Sequence, residues 1–525
     1  MSTLAALARQ AHERHAALPA VHDGTGWLTF GELGATARAV AVRLRERGVE
    51  TGDRVVIALR NQAAILQIEH AVFLSGLVRV AVSSRLHGRE IAGIAHDCAA
   101  AVVVCEPEHV EALVSAAPPL RALVVDTAGR IEPPAGAVDL AGLVAAPEDP
   151  ARLDFAVPDD PDAPAALMYT SGTTGDPKGA IVTHRMWLAM IRALSENLPI
   201  RGPGDVVLHV APMSHFGGSV GSAYTFAGAA AVPLPRFEPG AALAAVERFG
   251  VTVLPLVPTM LKELTVAAQA MTTGGGQGSL AGLAAVPYGG SAISVPAAAR
   301  ASRVFGEVLY QCYGLSEALA PLTVLSAADH RHGGERLASA GRPVRGVEIE
   351  VVDAEGRAVP AGDTGEVRVR GEAVMPGYWN RPAESADVLG AGGWFRTGDI
   401  GRFDGEGYLY LVDRRRDVIV SGGFNVYPGE VERAIAELHG VHEVVVFGVP
   451  HARWGEAVAA AVVPAPGCHL TAEDVVTACR TRLASYKKPL LVDVVDELPL
   501  SSTGKINRRE VRDRYWSAGG RHVGE

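Results

Sequence analysis

Short β-branched segments alternate with helical segments over much of the chain, and this alternation constrains the fold more than any other feature. The runs at 54–59 and 101–104 have the composition of buried strands, with a helical segment between them near 63–73. The same strand pattern recurs at 206–210, 251–256, 284–288 and 308–310. Because consecutive parallel strands need a crossover connection, usually a helix, we predict parallel sheets covered by helices in this part of the chain.

The pattern changes in the remainder of the chain. Alternating apolar and charged residues at 347–352 and 366–370 predict a small antiparallel sheet or barrel with one face exposed. Further along, strands near 443–449 and 456–463 and a helix capped by Thr471 predict a separate α+β domain. The predicted fold class is therefore α/β, with a large N-terminal part of parallel sheets, a small β-barrel-like part and a small α+β part at the C-terminus.

The composition argues against several classes of partner. A chain of 525 residues with a net charge of −10 and a pI near 6.0 lacks the basic surface that nucleic acid or an anionic membrane favours, so we expect a small-molecule substrate and no nucleic acid. The five cysteines include no Cys-x-x-Cys pair, which argues against a zinc site and favours reduced thiols in the cytoplasm. The uncharged stretch 206–235 is interrupted by Pro212 and several glycines, so we predict no transmembrane segment.

One loop, residues 169–180, concentrates groups that handle phosphates. It reads Tyr-Thr-Ser-Gly-Thr-Thr-Gly-Asp-Pro-Lys-Gly-Ala. Glycine lets backbone N–H groups approach an anion, hydroxyls add donors and Lys178 adds a positive charge, so the loop suits the phosphates of a nucleotide. Because Lys178 is followed by Gly179, the loop is not a Walker sequence, and an exposed polar turn is the alternative interpretation.

Four more segments follow this loop in order. They are Tyr313-Gly-Leu-Ser-Glu317, Arg396-Thr-Gly-Asp399, the charged run Asp-Arg-Arg-Arg-Asp at 413–417 and Pro-Leu-Ser-Ser-Thr-Gly-Lys at 499–505. Together with the loop, and over nearly the whole chain, they resemble the adenylate-forming superfamily of acyl- and aryl-CoA synthetases, peptide-synthetase adenylation domains and luciferases. The resemblance implies that a carboxylate attacks the α-phosphate of ATP to give an acyl-adenylate and pyrophosphate, and that a nucleophile then displaces AMP.

The resemblance also implies a division of the chain. Residues 1–412 would form the adenylation domain with the ATP and acid sites, 413–417 the hinge, and 418–525 a mobile C-terminal domain that carries the catalytic lysine. The chain departs from the family pattern at Arg416, where the hinge pivot is often Asp or Lys, and at Ser316, where Thr is usual. We expect both replacements to preserve function, because arginine tolerates a solvent-exposed pivot and serine keeps the hydroxyl.

By resemblance, catalysis is assigned to three residues. Lys505 would bridge the carboxylate and the α-phosphate, Glu317 would hold Mg²⁺, and His215 would lie near the carboxylate of the acid. Taken alone, Lys505 would be a surface lysine and His215 a core histidine. Their place in the ordered set of motifs favours the functional interpretation.

The resemblance assigns a larger set of residues to ATP. Asp399 would accept hydrogen bonds from the ribose hydroxyls with help from Arg414, and the ring of Tyr313 would stack on adenine. The full set predicted to bind ATP or AMP is Thr170, Ser171, Gly172, Thr173, Thr174, Gly175, Lys178, Gly289, Gly290, Ser291, Gln311, Tyr313, Gly314, Ser316, Asp399 and Arg414. ATP and Mg²⁺ are therefore the expected cosubstrate and metal.

The acceptor is predicted from the segment 420–432. It contains Gly422 and Gly423, small residues that in CoA ligases leave a tunnel for the pantetheine arm, so CoA is the expected co-substrate. A carrier protein or a nitrogen nucleophile is an alternative acceptor, and a small oxyanion is an alternative to the carboxylic acid. A homologue that only binds nucleotide is a further alternative.

The acid pocket is predicted around the segment after His215. Phe216 and Tyr288 would flank an aromatic ring, and Gly217 and Gly218 would leave depth for a longer chain. We expect an aryl or a medium-to-long acyl acid and favour an aryl or arylalkenyl one. The expected assembly is a monomer or a homodimer.

Overall fold

The computed structural model of the chain describes residues 3–116, 118–146, 159–170, 177–273, 280–414, 417–421, 424–451, 454–483, 487–501 and 504–517. The α-helices in these ranges are α1 (Leu4–Arg14), α2 (Phe30–Arg45), α3 (Ala63–Ser75), α4 (Gly88–Asp97), α5 (Val110–Ala116), α6 (Leu140–Leu143), α7 (His184–Asn197), α8 (Phe216–Phe226), α9 (Pro239–Phe249), α10 (Pro258–Thr273), α11 (Val295–Phe305), α12 (Ala327–His332), α13 (Pro382–Val388), α14 (Pro428–Ala436), α15 (Ala472–Arg482) and α16 (Arg508–Ser517).

The β-strands in the same ranges are β1 (Pro19–His22), β2 (Trp27–Thr29), β3 (Arg54–Ala58), β4 (Val78–Ala81), β5 (Val102–Cys105), β6 (Ala122–Val125), β7 (Val138–Asp139), β8 (Pro164–Thr170), β9 (Lys178–Thr183), β10 (Val206–His209), β11 (Ala230–Pro233), β12 (Val286–Gly289), β13 (Leu309–Tyr313), β14 (Thr323–Leu325), β15 (Arg342–Pro343), β16 (Val347–Val352), β17 (Gly365–Gly371), β18 (Phe395–Phe403), β19 (Leu409–Arg414), β20 (Ile419–Ser421), β21 (Phe424–Val426), β22 (Val441–His451), β23 (Gly455–Pro464) and β24 (Leu491–Val494).

The largest sheet has seven strands in the order β7-β6-β5-β3-β4-β8-β9. Its strand pairs are parallel except for β8 and β9, which pair antiparallel. The predicted parallel sheet is therefore confirmed, and the antiparallel pair at its edge arises because the connection between β8 and β9 is too short for a crossover helix. The predicted phosphate-binding loop therefore connects two neighbouring antiparallel strands.

A second sheet region carries the strands that lead to the predicted ATP and acid sites. β10 pairs with β11, and β12 with β13, in parallel. The prediction of a continuous strand at 251–256 is wrong, because this segment makes only isolated β-bridges, such as those from Val253 to Val207 and Ala285. Pro255 lacks an N–H group and interrupts the ladder there.

The two faces of this region pack against different helices. Leu208 and Tyr288 belong to a core cluster that includes residues of α9, α10 and α11. Val207 and Cys312 belong to another core cluster, which includes residues of α8. Side chains alternate between the two faces along a strand. Every second residue of β10 and β12 therefore points towards α8, and the residues between them point towards α9, α10 and α11.

Two smaller sheets complete the fold. The strands β16-β17-β18-β19 form an antiparallel sheet, and β21-β20-β23-β22 form the C-terminal sheet, with β24 parallel to β23. The predicted cap of α15 is confirmed, because Thr471 and Asp474 form a capping box. The predicted α/β class with two smaller parts is also confirmed, whereas the boundaries at 412 and 417 stay a prediction. None of the helices in the described ranges combines the length and apolar composition that crossing a membrane requires.

Candidate active site

The predicted phosphate-binding loop begins and ends on paired strands. Thr170, the last residue of β8, is directly opposite Lys178, the first residue of β9. The Lys178 ammonium lies over the ring of Tyr378, 5.7 Å from its centroid. The predicted loop residues that lie outside the described part of the chain are Ser171, Gly172, Thr173, Thr174 and Gly175. Their assignment to phosphate binding stays a prediction.

Tyr378 connects this lysine to the carboxylate predicted to hold Mg²⁺. Its hydroxyl donates a hydrogen bond to Oε1 of Glu317 at 3.0 Å. Burial and the neighbouring Glu317 raise the pKa of Tyr378, so the hydroxyl keeps its proton and stays a donor. The backbone N–H of the adjacent Trp379 donates to the carbonyl of Gly179 on β9 at 2.8 Å, which fixes the segment along that strand. Sequence reasoning missed Tyr378, because a tyrosine in a polar turn carries no charge or metal-ligand pattern.

Three residues predicted to bind ribose and adenine meet at the small antiparallel sheet. The Tyr313 hydroxyl donates to Oδ2 of Asp399 at 2.6 Å. Asp399 is buried on β18, and its Cα is paired with that of Arg414 on β19. The side chain of Arg414 lies outside what the structure describes. The hinge and CoA-tunnel residues that likewise lie outside it, and whose roles stay predictions, are Arg416, Gly422 and Gly423.

Two glycines near this point are required by close backbone approaches. An ideal Cβ on Gly289 would lie 2.3 Å from the carbonyl oxygen of Cys312, and one on Gly314 would lie 2.5 Å from Cα of Ala320. A larger residue at either position would force the backbone apart. Both glycines therefore shape the backbone at the carboxyl ends of β12 and β13. The neighbouring predicted residues with accessible side chains are Ser291 and Ser316.

Tyr288 corrects part of the predicted acid pocket. Its side chain is fully buried, and its hydroxyl is hydrogen-bonded to Nε2 of His330 at 2.7 Å and lies 3.1 Å from Oε1 of Gln311. The reason is strand alternation, since Tyr288 points to the opposite face of β12 from Gly289. Tyr288 thus packs in the core on the side of β12 that faces α9, α10 and α11, and does not flank a substrate ring.

The Lys505 ammonium lies against Gly290, at the carboxyl end of β12. An ideal Cβ on Gly290 would lie 3.1 Å from Nζ and 3.2 Å from Cε of the lysine. The turn that carries Lys505 contains Gly504, with φ of +81°, and is closed by a bond from the N–H of Ser501 to the carbonyl of Lys505 at 2.6 Å. The hydroxyl of Thr259, in the first turn of α10, donates to the carbonyl of Gly504 at 3.0 Å. These bonds hold the C-terminal turn at the end of β12.

His215 immediately precedes α8 and is half-buried. Burial, with a smaller contribution from the positive charge of Lys505, lowers the pKa of His215 to about 4, so the imidazole is neutral at neutral pH. Its Nδ1 is hydrogen-bonded to Oγ of Ser214 at 2.7 Å. The helix α8 begins without a side-chain cap, and the first turn of such a helix favours an anion. A helix N-terminus, a neutral imidazole and an ammonium therefore lie near one another.

The turn before α8 is held by Asn61, a buried residue that sequence reasoning missed. Its Nδ2 donates to the carbonyls of His209 and Ala211 at 3.1 and 2.9 Å. Its Oδ1 accepts the N–H of Met213 at 2.9 Å. The two hydrogen bonds that this side-chain amide donates and the one that it accepts leave the turn little freedom, so the direction in which α8 starts is well determined.

Arg79 holds the same turn from β4. Its Nη2 donates to the carbonyl of Met213 at 3.0 Å, and its Nε pairs with Oε1 of Glu69 at 2.6 Å. Both charged side chains are almost completely buried. Sequence reasoning did not single out this pair, although two opposite charges within apolar segments are a signal of a buried ion pair.

Gly217 and Gly218 do not deepen the acid pocket, which corrects the prediction. An ideal Cβ on Gly218 would lie 1.8 Å from the carbonyl oxygen of Met213, and one on Gly217 would lie 3.1 Å from another carbonyl oxygen of the same turn. The backbone of the turn fills the space beside both glycines, because α8 folds back against it. Phe216 does border the end of β12, since its Cε2 is 3.3 Å from an ideal Cβ on Gly289.

Comparison with known proteins places these features in a family. The family model described as AMP-binding enzyme matches residues 7–379, and the one described as AMP-binding enzyme C-terminal domain matches residues 430–505. A feruloyl-CoA synthase of an Amycolatopsis species is 36% identical over 499 residues, which cover 94% of this chain and 95% of the relative. The fatty acid–[acyl-carrier-protein] ligase ScoC of Streptomyces coeruleorubidus is 35% identical over 96% of this chain and 95% of that relative. The solved structure of the amide bond synthetase McbA from Marinactinospora thermotolerans matches with a TM-score of 0.86 and 30% identity, covering 98% of this chain and 99% of that one.

The buried ion pair generates a stability prediction. Arg79→Leu leaves the Glu69 carboxylate buried without its cation, and breaking such a pair costs about 3–5 kcal/mol. The double variant Glu69→Leu/Arg79→Leu removes both charges, so we expect it to unfold at a higher temperature than the single variant. Thermal unfolding of the wild type and the two variants checks this order. A double variant that is no more stable than Arg79→Leu would contradict the role given to the unpaired carboxylate.

Proposed function

This chain belongs to the AMP-binding enzyme family, as a member of the acyl- and aryl-CoA synthetase branch of the adenylate-forming enzymes, and on that basis we propose that it joins an aromatic carboxylic acid to CoA. In the first step a carboxylate oxygen attacks the α-phosphorus of ATP, the bond to pyrophosphate breaks, and acyl-AMP forms. In the second step the sulfur of CoA attacks the acyl carbon, the thiol proton is lost, and AMP leaves. Activation as acyl-AMP divides one difficult step into two easier ones.

The observation that carries the proposal is the contact of the Lys505 ammonium with Gly290, next to His215 and the start of α8. A carboxylate bound there faces one positive charge and a helix N-terminus. When that carboxylate attacks ATP, negative charge develops on the α-phosphate oxygens, and the same ammonium stabilises it. Because His215 is neutral, it can form a hydrogen bond at the edge of this site without adding a second positive charge beside Lys505.

We assign the nucleotide to the groups around Asp399 and Lys178. An ionised carboxylate is an acceptor only, and the bond from the Tyr313 hydroxyl orients Asp399 towards the ribose hydroxyls. Lys178 and Thr170, at the two ends of the phosphate-binding loop, provide a cation and a hydroxyl for the departing pyrophosphate.

The carboxylate of Glu317 fits a Mg²⁺ ion that is bound largely through the substrate. No group of three or more His, Cys, Asp or Glu that could hold a metal ion occurs within the described residues. Mg²⁺ commonly takes one or two carboxylates and completes its shell with waters and phosphate oxygens. The bond from Tyr378 to Oε1 orients Glu317 for this role. A bound Mg²⁺ supplies charge neutralisation at the phosphates.

The aromatic class of the acid is supported by Phe216 and by the relatives. The ring of Phe216 borders the end of β12, close to where we place the carboxylate, and offers a flat apolar surface. One full-length relative is named a feruloyl-CoA synthase, which is consistent with an arylalkenyl acid. A medium-to-long acyl acid is the alternative, since another relative is named a fatty acid ligase.

CoA is the acceptor that we favour, because relatives named CoA synthases or ligases recur among the similar proteins. Two specific similarities support alternatives. One relative transfers to an acyl carrier protein and one structural neighbour is an amide bond synthetase, so a carrier protein or an amine is the second candidate acceptor. The five unpaired cysteines support a reducing compartment, and we propose the cytoplasm.

Product identity tests the proposal. The enzyme is incubated with ATP, Mg²⁺ and a mixture of aromatic and aliphatic acids, with and without CoA, and the products are identified by mass spectrometry. We expect acyl-AMP and pyrophosphate without CoA, and an aryl or arylalkenyl thioester with CoA. A product that forms only when an amine or a carrier protein is added would contradict CoA as the acceptor, and a solely aliphatic product would contradict the aromatic acid.

The position of Lys505 generates a prediction about the two half-reactions. Lys505→Ala removes the ammonium at Gly290, so acyl-AMP formation should slow by about two to three orders of magnitude. Thioester formation from a preformed acyl-adenylate should be largely retained, because the lysine is assigned to the first step only. Lys487→Ala is the matched control, since the Lys487 ammonium pairs with Glu430 instead. Equal losses in both half-reactions would contradict the assigned role.

The bond between Tyr378 and Glu317 generates a prediction about metal dependence. Tyr378→Phe removes the hydroxyl that orients Glu317 but keeps the ring beside Lys178, so the Mg²⁺ concentration for half-maximal activity should rise about tenfold. The KM for the acid should change little. Tyr408→Phe is the control, because it removes a comparable bond of 2.6 Å to Asp329. Titration of activity with Mg²⁺ gives the comparison, and identical curves for Tyr378→Phe and the wild type would refute the orienting role.

A further inference from the structure

His209, the last residue of β10, is a buried imidazole without a polar partner. Its side chain is only 2% exposed, and neither Nδ1 nor Nε2 has a hydrogen-bond partner in the part of the chain that the structure describes. Leaving a buried polar group unpaired costs about 1–3 kcal/mol. Such a group in an otherwise well-satisfied structure therefore suggests a ligand that completes its hydrogen bonds.

The imidazole points towards α8. An ideal Cβ on Gly221 would lie 2.2 Å from Cε1 of His209, so only glycine at this position of α8 leaves room for the ring. Leu208, the preceding residue, packs in the core cluster on the other face of the sheet. By alternation, His209 lies on the same face as Val207, beneath α8.

This location connects His209 to the proposed acid site. Phe216 and Gly221 lie on the same helix, and Phe216 borders the end of β12 where the carboxylate is proposed to bind. Gly221 lies five residues beyond Phe216, a rise of about 7.5 Å along the helix axis.

The chemistry of the imidazole specifies what it can bind. Burial lowers the pKa of His209 to about 4, so at neutral pH the ring is uncharged and has one donor and one acceptor nitrogen. A hydroxyl group can both accept from the N–H and donate to the bare nitrogen. The side-chain amide of Asn61 donates a hydrogen bond to the backbone carbonyl of His209. This bond fixes the backbone position from which the imidazole side chain extends.

A second polar group lies on the same helix. The Tyr224 hydroxyl, three residues beyond Gly221 on α8, is buried and also lacks a hydrogen-bond partner among the described residues. α8 and the strand beneath it thus carry two buried side chains, Tyr224 and His209, whose polar atoms lack partners among the described residues. An all-apolar acid would satisfy neither of them.

We propose that His209 is the specificity-determining residue for the acid, and that it binds a hydroxyl group at the end of a hydroxyaryl carboxylic acid remote from the carboxylate. The inference rests on the proposed function, since it needs the acid to be activated at the start of α8. Gly221 contributes by leaving the space that the imidazole occupies.

The test compares two acids that differ only in the hydroxyl, 3-(4-hydroxyphenyl)propenoate and 3-phenylpropenoate. With the full-length wild-type enzyme, kcat/KM for AMP-dependent activation should favour the hydroxylated acid by at least about tenfold, the scale of one well-formed hydrogen bond. His209→Leu should reduce that preference to less than about threefold, whereas His209→Gln, which keeps a donor and an acceptor, should retain part of it.

Two further variants keep the test decisive. His12→Leu removes another buried imidazole, in α1, whose Nδ1 also lacks a partner among the described residues, and should leave the preference unchanged. Gly221→Ala displaces the His209 ring and should lower the preference even if His209→Leu does not fold. Equal activation of the two acids by the wild type, or an unchanged preference in His209→Leu or Gly221→Ala, would overturn the inference. Failure to form AMP with any acid would instead overturn the proposed function on which it rests.

Discussion

The position of the candidate catalytic lysine is held by a hydrogen bond between distant parts of the chain, from the Thr259 hydroxyl to the carbonyl of Gly504. It holds the turn that brings the Lys505 ammonium to Gly290. A single neutral hydrogen bond contributes about 1 kcal/mol, so this contact determines position without making the arrangement permanent. The nearby ion pair of Lys262 with Glu443, at 3.7 Å, likewise contributes only a small stabilising free energy. Such contacts are compatible with a C-terminal part that moves between two steps, which stays a prediction.

The proposed acid site is shaped instead by close packing around α8. Three glycines of this helix, Gly217, Gly218 and Gly221, allow it to lie against β10 and the turn that follows the strand. The glycines do not create an empty pocket, because backbone fills the space at the first two and an imidazole fills it at the third. Buried polar side chains on and beside this helix, Tyr224 and His209, distinguish this region of the protein.

Much of the candidate ATP site could be proposed from the sequence because its residues lie in short motifs. Tyr313, Asp399 and Lys505 were identified from their sequence neighbours, and the structure brings Tyr313 and Asp399 into direct contact and Lys505 to Gly290. The family, the α/β fold class and the AMP-forming ligase activity predicted from those motifs are confirmed. The assignment of individual residues to ATP, metal and acid stays a prediction.

The sequence by itself determined the alternation of strands and helices, the order of the motifs and hence the family, because these depend on local patterns of apolar residues, glycines and charges. Only the tertiary structure decided which side chains share a surface. Tyr288 points away from α8, whereas His209 points towards it, and Asn61 and Arg79 reach the same turn from elsewhere in the chain. The physical reason is that strand alternation and long-range packing set the direction of a side chain, and neither has a signature in its immediate neighbours.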